Sequence, residues 1–443
     1  MKMQTPTSPR KRRGAVVLGA LGLLSLCMLS VHDSRVLGWW SREAHATAAP
    51  LAPSAASRVM RLADDLPTEP RVGLPEAALQ GSPESRLMAL YRLVGEGRLA
   101  DALEGSTALL QKYPHFRLAQ LLQADLLAAR AAPLTTWGGG APDRGDLAPL
   151  RDEALQRLAA LRERPPTGAI PAEFVLLPPS QPYAIAVDAS RSRLYLFENG
   201  AHGLTLIDDF YVSVGKQGVD KLIEGDQKTP LGLYFITGQI DRKALEDRFG
   251  VGALPLNYPN AYDRTRGRTG KGILLHGVPS STYSRPPLDS DGCVVLANDD
   301  LMGLAARLPQ RDTPVLIARH IEWRQPGANR QALESTRFMP TFERWRTARL
   351  AANADQLASF YPGTSSADAQ LNLTRSRQRT ASAPAPTAID ETSLISFRDD
   401  RELMVVTFRE QALDNGERTE HLMRQYWGRE GNDWRIVAEG QVH

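Results

Sequence analysis

The sequence contains very little cysteine: Cys27 and Cys293 are the only two among 443 residues. Cys27 lies inside an uncharged apolar run at residues 14–31, so it is not expected to reach a soluble domain. No intramolecular disulfide is therefore predicted, and Cys293 is a single thiol. Two interpretations are open. Cys293 is either a small buried hydrophobe or a chemically active group, because an idle free thiol is a liability in an oxidising compartment.

The sequence also has no large excess of either charge. It contains 53 Lys and Arg residues and 50 Asp and Glu residues, which gives a net charge of +3. Much of the basic excess lies in residues 10–13 and 375–379. No nucleic-acid partner is expected, since no broad basic surface is indicated. The length allows two or three domains, and a hydrophobic fraction of 42% allows at least one sizeable core.

The N-terminal residues 1–40 predict export. Basic residues 10–13 precede the apolar run 14–31, which at ~1.5 Å per residue nearly crosses a bilayer core of ~30 Å. The basic flank predicts a cytoplasmic N-terminus and an inner-membrane anchor, with the rest of the chain in the periplasm. A cleaved signal peptide would look similar, but no small-x-small cleavage motif closely follows the run. An uncleaved anchor is favoured.

The pattern predicts a multidomain chain. Residues 41–80 are rich in Ala, Pro and Ser and predict a linker. Residues 81–165 show apolar positions at helical spacing. The turn at residues 95–98 resembles a tetratricopeptide hairpin, but only about one and a half repeats are visible. A helical spacer that packs on the next domain is favoured over a dedicated peptide-binding groove.

The hydrophobic period changes to two from residue 183, which predicts a mostly-β domain over residues 180–320. Residues 335–443 predict a helix followed by antiparallel strands, an α+β layout. Tyr426-Trp427 and residues 434–437 carry a resemblance to the nuclear transport factor 2 (SnoaL-like) fold, a cone in which a curved sheet wraps on helices. Since this part shows no catalytic set, ligand binding or pairing with a protein partner is its expected role.

His276 and Cys293 are a candidate base and nucleophile, with sixteen residues between them. A neighbouring base lowers a thiol pKa or takes the thiol proton. Gly292 leaves the sulfur accessible, and the N–H groups of Gly292 and Cys293 are candidate donors to an oxyanion. No metal or other cofactor is expected, because no second His or Cys stands at ligand spacing from His276.

Several short motifs between residues 183 and 320 carry a family resemblance. His276-Gly277 is followed by a loop and by Ser-Asp-Gly-Cys at residues 290–293. Residues 225–232 read Gly-Asp-Gln-Lys-Thr-Pro-Leu-Gly, and further motifs are Asn-Tyr-Pro-Asn at 257–260 and Arg-Pro-Pro at 285–287. These motifs resemble the YkuD-type L,D-transpeptidases. The family hallmarks are a glycine-bounded Thr-Pro-x-Gly segment and His-Gly, a loop, then Ser-His-Gly-Cys.

The resemblance implies a cysteine acyl transfer on peptidoglycan stem tetrapeptides, in cell-wall biogenesis and cell shape. His276, held by a backbone carbonyl such as that of Gly277, takes the proton of Cys293, and terminal D-alanine leaves as a thioester forms. The thioester is resolved by an acceptor that stays open: a diaminopimelate amine, a lipoprotein lysine, a D-amino acid or water. The residues implied are, for catalysis, Cys293, His276, Gly277 and Gly292, and, for substrate binding, Ser290, Asp291, Tyr258, Arg285 and Tyr234.

Two positions depart from the family pattern. Asp291 replaces the usual histidine, and Val295 replaces the usual arginine two residues after the cysteine. Asp291 is expected to cap a turn. The departures keep two alternatives open beside the transpeptidase. One is a hydrolytic relative that cleaves peptidoglycan links. The other is a non-catalytic periplasmic scaffold that holds partners through its helical and C-terminal parts.

Overall fold

The computed structural model describes residues 74–134, 136–138, 147–361, 385–414 and 417–442. The predicted anchor at 14–31 and most of the predicted linker lie outside these residues. Across the described part of the chain, no helix combines the length and the apolar character that a membrane crossing needs. A short helix, α1 (Glu76–Leu79), stands where the end of the linker is predicted.

The N-terminal part of the described chain is helical. Its helices are α1 (Glu76–Leu79), α2 (Pro83–Gly95), α3 (Leu99–Lys112), α4 (Arg117–Ala129) and α5 (Ala148–Arg162). Ser82 caps α2 by accepting a hydrogen bond from the Ser85 N–H at 3.0 Å. Gly97, at φ +75°, lets the chain reverse into α3. Leucines at helical spacing on α2, α3 and α4, such as Leu90, Leu109 and Leu122, form one shared core.

The middle of the chain is built from short strands. They are β1 (Ile170–Pro171), β2 (Phe174–Leu176), β3 (Tyr183–Asp188), β4 (Arg193–Gly200), β5 (Gly203–Tyr211), β6 (Val214–Gly215), β7 (Gly232–Phe235), β8 (Ile240–Asp241), β9 (Gly252–Pro255), β10 (Leu274–His276), β11 (Leu288–Ser290), β12 (Val294–Val295), β13 (Pro314–Ala318) and β14 (Trp323–Arg324). Helices α6 (Ala261–Thr265) and α7 (Asn298–Arg307) lie between them.

The central sheet has the strand order β5-β4-β3-β13-β7, and both of its faces are buried. Strands β3 and β13 run parallel, while the other neighbouring pairs are antiparallel. Alternate residues of a strand point to opposite faces. Ile185 and Val187 therefore enter one core, and Ala184 and Ala186 enter another. A smaller sheet of order β12-β10-β9-β8 packs on the first core.

The C-terminal part consists of helices followed by long antiparallel strands. The helices are α8 (Pro326–Ser335), α9 (Phe338–Leu350) and α10 (Ala354–Ala358), and the strands are β15 (Ala388–Arg398), β16 (Glu402–Asp414), β17 (Glu417–Glu430) and β18 (Asp433–Gln441). Where the sequence predicts one helix over residues 340–361, α9 ends at Leu350 and α10 begins at Ala354. Aromatic rings including Phe342, Trp345 and Trp427 fill the core.

The C-terminal sheet has the order β18-β17-β16-β15-β2. Its edge strand β2 comes from residues far upstream, before the predicted boundary at 335. Ile395, Val405 and Tyr426 of this sheet share a core with Ala184, Phe197 and Leu316 of the central sheet. A cavity of about 1050 Å³ lies between the two parts, with Tyr258, Trp345 and Arg424 among its lining residues.

Candidate active site

Two parallel strands bring the predicted base and nucleophile together. Strand β10 ends at His276, and β12 begins directly after Cys293, with Leu275 paired to Val294 and His276 paired to Val295. Continuing this register back by one residue puts Cys293 beside Leu274. Residues 274 and 276 share one face of the strand, because side chains alternate. The side chains of His276 and Cys293 thus leave the same face of the small sheet.

The His276 ring is buried and held in one tautomer. Its Nδ1 donates to the Gly277 carbonyl at 2.7 Å, so the predicted contact is present and Nε2 is left as the proton acceptor. The Phe249 ring meets the imidazole edge-on, with centroids 5.1 Å apart. Burial lowers the pKa of His276 to about 4, against the opposing effect of the Gly277 bond. The imidazole is therefore neutral at neutral pH.

Cys293 is half-buried and protonated in this arrangement. Burial raises the pKa of its thiol, and a hydrogen bond from Leu274 opposes the shift. The Sγ atom donates to the Gly272 carbonyl at 3.5 Å. Within the described residues, no hydrogen bond joins Cys293 directly to His276. The resting site is thus a neutral thiol beside a neutral base rather than a thiolate–imidazolium pair.

Ser290 and Gly292 shape the turn that presents Cys293. The buried Ser290 hydroxyl donates to the Cys293 carbonyl at 2.6 Å and accepts from the Gly292 N–H at 3.1 Å. Gly292 has φ +124°, and a Cβ there would lie 2.7 Å from the Lys228 carbonyl oxygen. The Ser290 hydroxyl thus holds the turn through two backbone contacts, and its contact with substrate stays a prediction. The same hydroxyl engages the Gly292 N–H that the sequence suggests as an oxyanion donor.

Gly277 is required by a close approach to Asn298. A Cβ at position 277 would collide with Oδ1 of Asn298. That oxygen accepts from the Val278 N–H at 3.1 Å and the Val251 N–H at 3.3 Å. Asn298 begins α7 and fixes the chain just after His276. Asn298 directly follows the buried apolar residues 294–297, and that position is the sequence signal that points to it.

Tyr234 and Tyr258 belong to the hydrophobic core. Their rings meet edge-on at 5.7 Å, and both side chains are buried. The Tyr234 hydroxyl donates to the Leu231 carbonyl at 3.1 Å, and the Tyr258 hydroxyl donates to the Thr269 carbonyl at 3.0 Å. Burial raises the pKa of Tyr258 to about 12. Tyr258 also lines the cavity described above. The substrate contacts of both tyrosines stay predictions.

Arg285 is the predicted binding residue whose charge reaches the reactive pair. Its side chain is half-buried, and Nη1 donates to the Asp289 carbonyl at 3.0 Å. Burial lowers the pKa of His276, and the Arg285 charge adds to that effect. Burial raises the pKa of Cys293, and the Arg285 charge opposes that rise while the Asp291 charge adds to it. A cation near both groups is suited to a carboxylate.

Asp291 points away from the backbone that it is predicted to cap. Its exposed carboxylate accepts from Lys216 Nζ and from Gln227 Nε2, each at 3.2 Å. The turn is instead capped from within by Ser290. Asp291 therefore links the cysteine turn to the neighbouring segment, and the capping prediction is wrong.

The segment at residues 221–228 packs beside the cysteine turn and is organised by Asp226. Lys221 Nζ donates to the Asp226 carboxylate at 2.7 Å, and the N–H groups of Leu222, Ile223 and Lys228 also donate to it. Slight burial would raise the pKa of Asp226, but these hydrogen bonds outweigh it and lower the pKa to about 2. In the described ranges, no group of three or more His, Cys, Asp or Glu side chains is placed to hold a metal.

Comparison with protein families decides the identity of this part of the chain. The model of the L,D-transpeptidase catalytic domain named YkuD matches residues 182–317. Residues 182–317 are a YkuD domain. The match includes Cys293, His276 and the segment 221–228. A search of curated proteins found no significant match for the chain.

Three solved structures resemble the chain distantly. Bd1075 from Bdellovibrio bacteriovorus shares 22% identity, over 62% of this chain and 98% of its own, with a TM-score of 0.49. The helical cell shape determining protein Pgp2 from Campylobacter jejuni shares 17%, over 62% and 94%, at 0.48. An L,D-transpeptidase from Mycobacterium smegmatis shares 14%, over 31% and 58%, at 0.21. These similarities are too distant to bear on the chemistry of this chain.

The candidate base and nucleophile of the YkuD domain lie at the ends of two paired strands, and two of the predicted binding residues lie on loops. His276 and Cys293 flank the rigid pair β10 and β12, whereas Arg285 and Asp291 lie on connecting segments. Three exposed apolar side chains, Leu222, Ile223 and Leu288, stand on segments that border the cysteine turn.

Proposed function

We propose that this protein is a peptidoglycan L,D-transpeptidase that works through an acyl thioester on Cys293. The YkuD domain supports a cell-wall role for the chain. The observation that carries the proposal is the shared strand face of His276 and Cys293, with Nδ1 of His276 bound to the Gly277 carbonyl. That arrangement supplies an accessible sulfur and an oriented proton acceptor, which thiol acyl transfer requires.

The first half-reaction forms the thioester. Nε2 of His276 takes the Sγ proton, and the sulfur attacks the peptide carbonyl carbon that precedes the terminal D-alanine of a stem tetrapeptide. The electron pair of the C=O bond moves to oxygen, and the Cys293 N–H is the proposed donor to that oxyanion. When the tetrahedral intermediate collapses, the C–N bond breaks and His276 returns the proton to the departing amine of D-alanine.

The second half-reaction transfers the acyl group. An acceptor amine loses a proton to Nε2 of His276 as its nitrogen attacks the thioester carbonyl. Collapse breaks the C–S bond, and the proton returns to sulfur as the new amide forms. When water replaces the amine, the same proton transfers through His276 give hydrolysis of the thioester. The acceptor therefore decides between transferase and hydrolase.

Arg285 is the proposed recognition residue for the donor peptide. Its guanidinium binds the Asp289 carbonyl, four residues before Cys293, and its charge acts on the pKa of both the thiol and the imidazole. A stem tetrapeptide ends in a carboxylate one residue beyond the bond that is attacked. An arginine near the sulfur can pair with that carboxylate and hold the carbonyl in reach. In this role Arg285 stands in for the arginine that the family pattern would have at Val295.

A non-catalytic scaffold is the second candidate, and one observation favours it. Both members of the pair are neutral at rest, and no direct hydrogen bond joins them in the described residues. A thiol of this kind reacts slowly until a substrate excludes water and moves it towards the base. Alkylation of Cys293 no faster than that of a free thiol at neutral pH would strengthen this candidate.

The deciding experiment incubates the protein with disaccharide-tetrapeptide, with and without an acceptor amine, and follows products by mass spectrometry. A cross-linked product supports the transpeptidase, a tripeptide product supports the hydrolase, and no product supports the scaffold. Cys293→Ala and His276→Ala should both abolish a thioester adduct with a carbapenem. An adduct on Cys293→Ala protein would rule out the proposed nucleophile.

The remaining predictions are part of the same proposal. Residues 14–31 would anchor the chain in the inner membrane, with the YkuD domain in the periplasm. The helices and antiparallel strands after residue 326 would form a cone of the nuclear transport factor 2 type that binds a ligand or a protein partner. Fractionation of cells that produce the full chain tests the location. Loss of normal cell shape on deletion tests the role in cell-wall remodelling.

A further inference from the structure

The segment at residues 277–289, called here the Arg285 loop, joins His276 to strand β11 and leans on the helical part. Its Tyr283 packs into the core formed by α2 to α5. The Tyr283 ring lies 5.4 Å from the Tyr113 ring and 5.0 Å from the Phe116 ring. Tyr113 and Phe116 lie at the end of α3 and just before α4. One side chain of the loop is thus enclosed by a part of the chain outside the YkuD domain.

A second contact reaches the same loop through the buried guanidinium of Arg157 on α5. Glu153 binds its Nη2 at 2.8 Å, and Glu84 binds its Nη1. The guanidinium carbon of Arg157 lies 3.9 Å from the ring centroid of Tyr211, on β5. The Tyr211 hydroxyl donates to the carbonyl of Arg285 at 3.0 Å. The helical part therefore reaches the backbone of Arg285 through one intermediate ring.

Burying the charges of Arg157, Glu84 and Glu153 costs desolvation free energy. Replacing buried ion pairs by apolar side chains of similar volume is often neutral or stabilising, so packing alone is a weak account of Arg157. Its two carboxylate partners fix the guanidinium plane, and the plane fixes the ring of Tyr211. What this cluster of charges supplies is a fixed position for Tyr211, whose hydroxyl binds the backbone carbonyl of Arg285.

We propose that the helical part positions the Arg285 loop for donor binding, through Tyr283 and through the contact of Arg157 with Tyr211. Arg157, Tyr211 and Tyr283 are positioning residues, because they act on Arg285 and not on the reacting atoms. The substrate feature that they serve is a carboxylate close to the attacked bond. The inference depends on the proposed function in one respect, the identity of the donor peptide.

The test compares two alkylating reagents on the full chain with Cys27→Ser, in which Cys293 is the only thiol. Iodoacetate is an anion and iodoacetamide is neutral, and both react with the same sulfur. The ratio of their rate constants reports the positive charge near Cys293. A change only in the accessibility of the sulfur changes both rates together and leaves the ratio unchanged, whereas displacement of the Arg285 charge lowers the ratio. The Arg285→Gln variant gives the reference ratio for a chain that lacks the Arg285 charge.

Tyr211→Phe is the sharpest variant, since it keeps the ring beneath Arg157 and removes only the hydroxyl that binds Arg285. We expect the ratio to fall about threefold, towards the Arg285→Gln value. Tyr195→Phe is the matched control, because Tyr195 is a buried tyrosine on the adjacent strand β4 that packs on Trp323. Its ratio should equal that of the parent chain.

Tyr283→Ala should lower the ratio by a similar factor, and Tyr283→Phe should restore it, because the ring makes the contact. At about 1 M salt the parent ratio should fall towards the variant values, since the charge is then screened. Parent-like ratios in both Tyr211→Phe and Tyr283→Ala would overturn the proposal, as would an Arg285→Gln ratio equal to that of the parent. A failure of the proposed enzyme function would appear as absent peptide products and would leave these ratios intact.

Discussion

Both His276 and Cys293 are neutral at neutral pH, because burial lowers the pKa of His276 and raises that of Cys293. His276 is buried against Phe249 with Nδ1 bound to Gly277, and the thiol of Cys293 donates to a carbonyl. Charge separation in this apolar surrounding is unfavourable until a developing oxyanion compensates it. Proton transfer and attack on the carbonyl are therefore expected to be concerted or nearly so, and the pH dependence of the protein should carry the signature of a buried neutral histidine.

The first prediction concerns stability against pH. Burial lowers the pKa of His276 to about 4 in the folded chain, against ~6.5 when unfolded. As pH falls, the unfolded chain binds this proton first, so the stability linked to His276 is full above pH ~6.5 and is lost on the way down towards pH ~4. The shift corresponds to about 3 kcal/mol. Thermal unfolding of the wild type and His276→Gln should show a difference that shrinks from pH 7.5 to pH 4.5. Parallel curves would contradict the buried neutral state.

A second prediction concerns the cysteine turn. Ser290→Ala removes the hydroxyl that binds the Cys293 carbonyl and the Gly292 N–H. Leaving such buried groups unpaired costs about 1–3 kcal/mol, and we expect kcat for acyl transfer to fall more than KM rises. Denaturant unfolding and steady-state kinetics measure the two effects. Ser280→Ala, at an exposed serine of the Arg285 loop, is the control and should behave as wild type. If Ser290→Ala and Ser280→Ala have the same unfolding free energy and the same kinetics, Ser290 does not stabilise the cysteine turn.

At the scale of elements, the paired strands β10 and β12 align His276 with Cys293. The first residue of α7, Asn298, fixes the backbone next to His276. Asn298 Oδ1 ties Val278 and Val251 together immediately behind His276. The contact is so close that position 277 must be glycine. The orientation of His276 is therefore expected to depend on the Asn298 acceptor oxygen, which binds two backbone N–H groups behind it.

Replacing Asn298 tests this dependence. Asn298→Ala leaves two backbone N–H groups without their acceptor and should destabilise the chain by about 1–3 kcal/mol, with a loss of kcat. Asn298→Asp keeps an oxygen at the same place and should recover most of both. Unfolding free energies and kcat of the two variants provide the measurement. If aspartate is as damaging as alanine, the role of Asn298 lies in its amide group and not in the acceptor oxygen.

The elements also show which features are predictable from sequence. The strand period and the choice of His276 and Cys293 as a pair follow from local patterns, whereas the Gly277 carbonyl contact comes from the family resemblance. The burial of Tyr234 and Tyr258 does not, because a tyrosine looks the same whether its hydroxyl meets a substrate or a distant carbonyl. Strand β2 is too short to show a period, and its partner β15 lies more than 200 residues away. Tyr283 meets the helical part through contacts that leave no local signal.

At the scale of the whole molecule, the YkuD domain does not complete its own core. The second face of its central sheet is covered by Ile395, Val405 and Tyr426 of the C-terminal sheet. Arg268 adds polar contacts across the same boundary, to both carboxylate oxygens of Asp399 at 2.9 Å. The catalytic and C-terminal parts therefore share one buried interior.

A truncation experiment follows from this shared interior. A fragment of residues 182–317 should expose the face of Ala184, Phe197 and Leu316, bind the dye ANS and aggregate. A fragment of residues 74–442 should remain compact, because that face and the helical core both stay covered. Gel filtration and ANS fluorescence distinguish the two. A monomeric, dye-free 182–317 fragment would show that the shared core is dispensable.

The protonated state of Cys293 has a consequence for survival outside the cytoplasm. Peroxides and disulfides react with thiolates, and a neutral thiol resists both. In the proposed periplasmic location, the same burial that slows the resting nucleophile would keep it reduced without a second cysteine to rescue it. Sulfenic acid formation on Cys293 by hydrogen peroxide should thus be slower than on an unshifted thiol at pH 7, and should accelerate when the pH is raised towards 9.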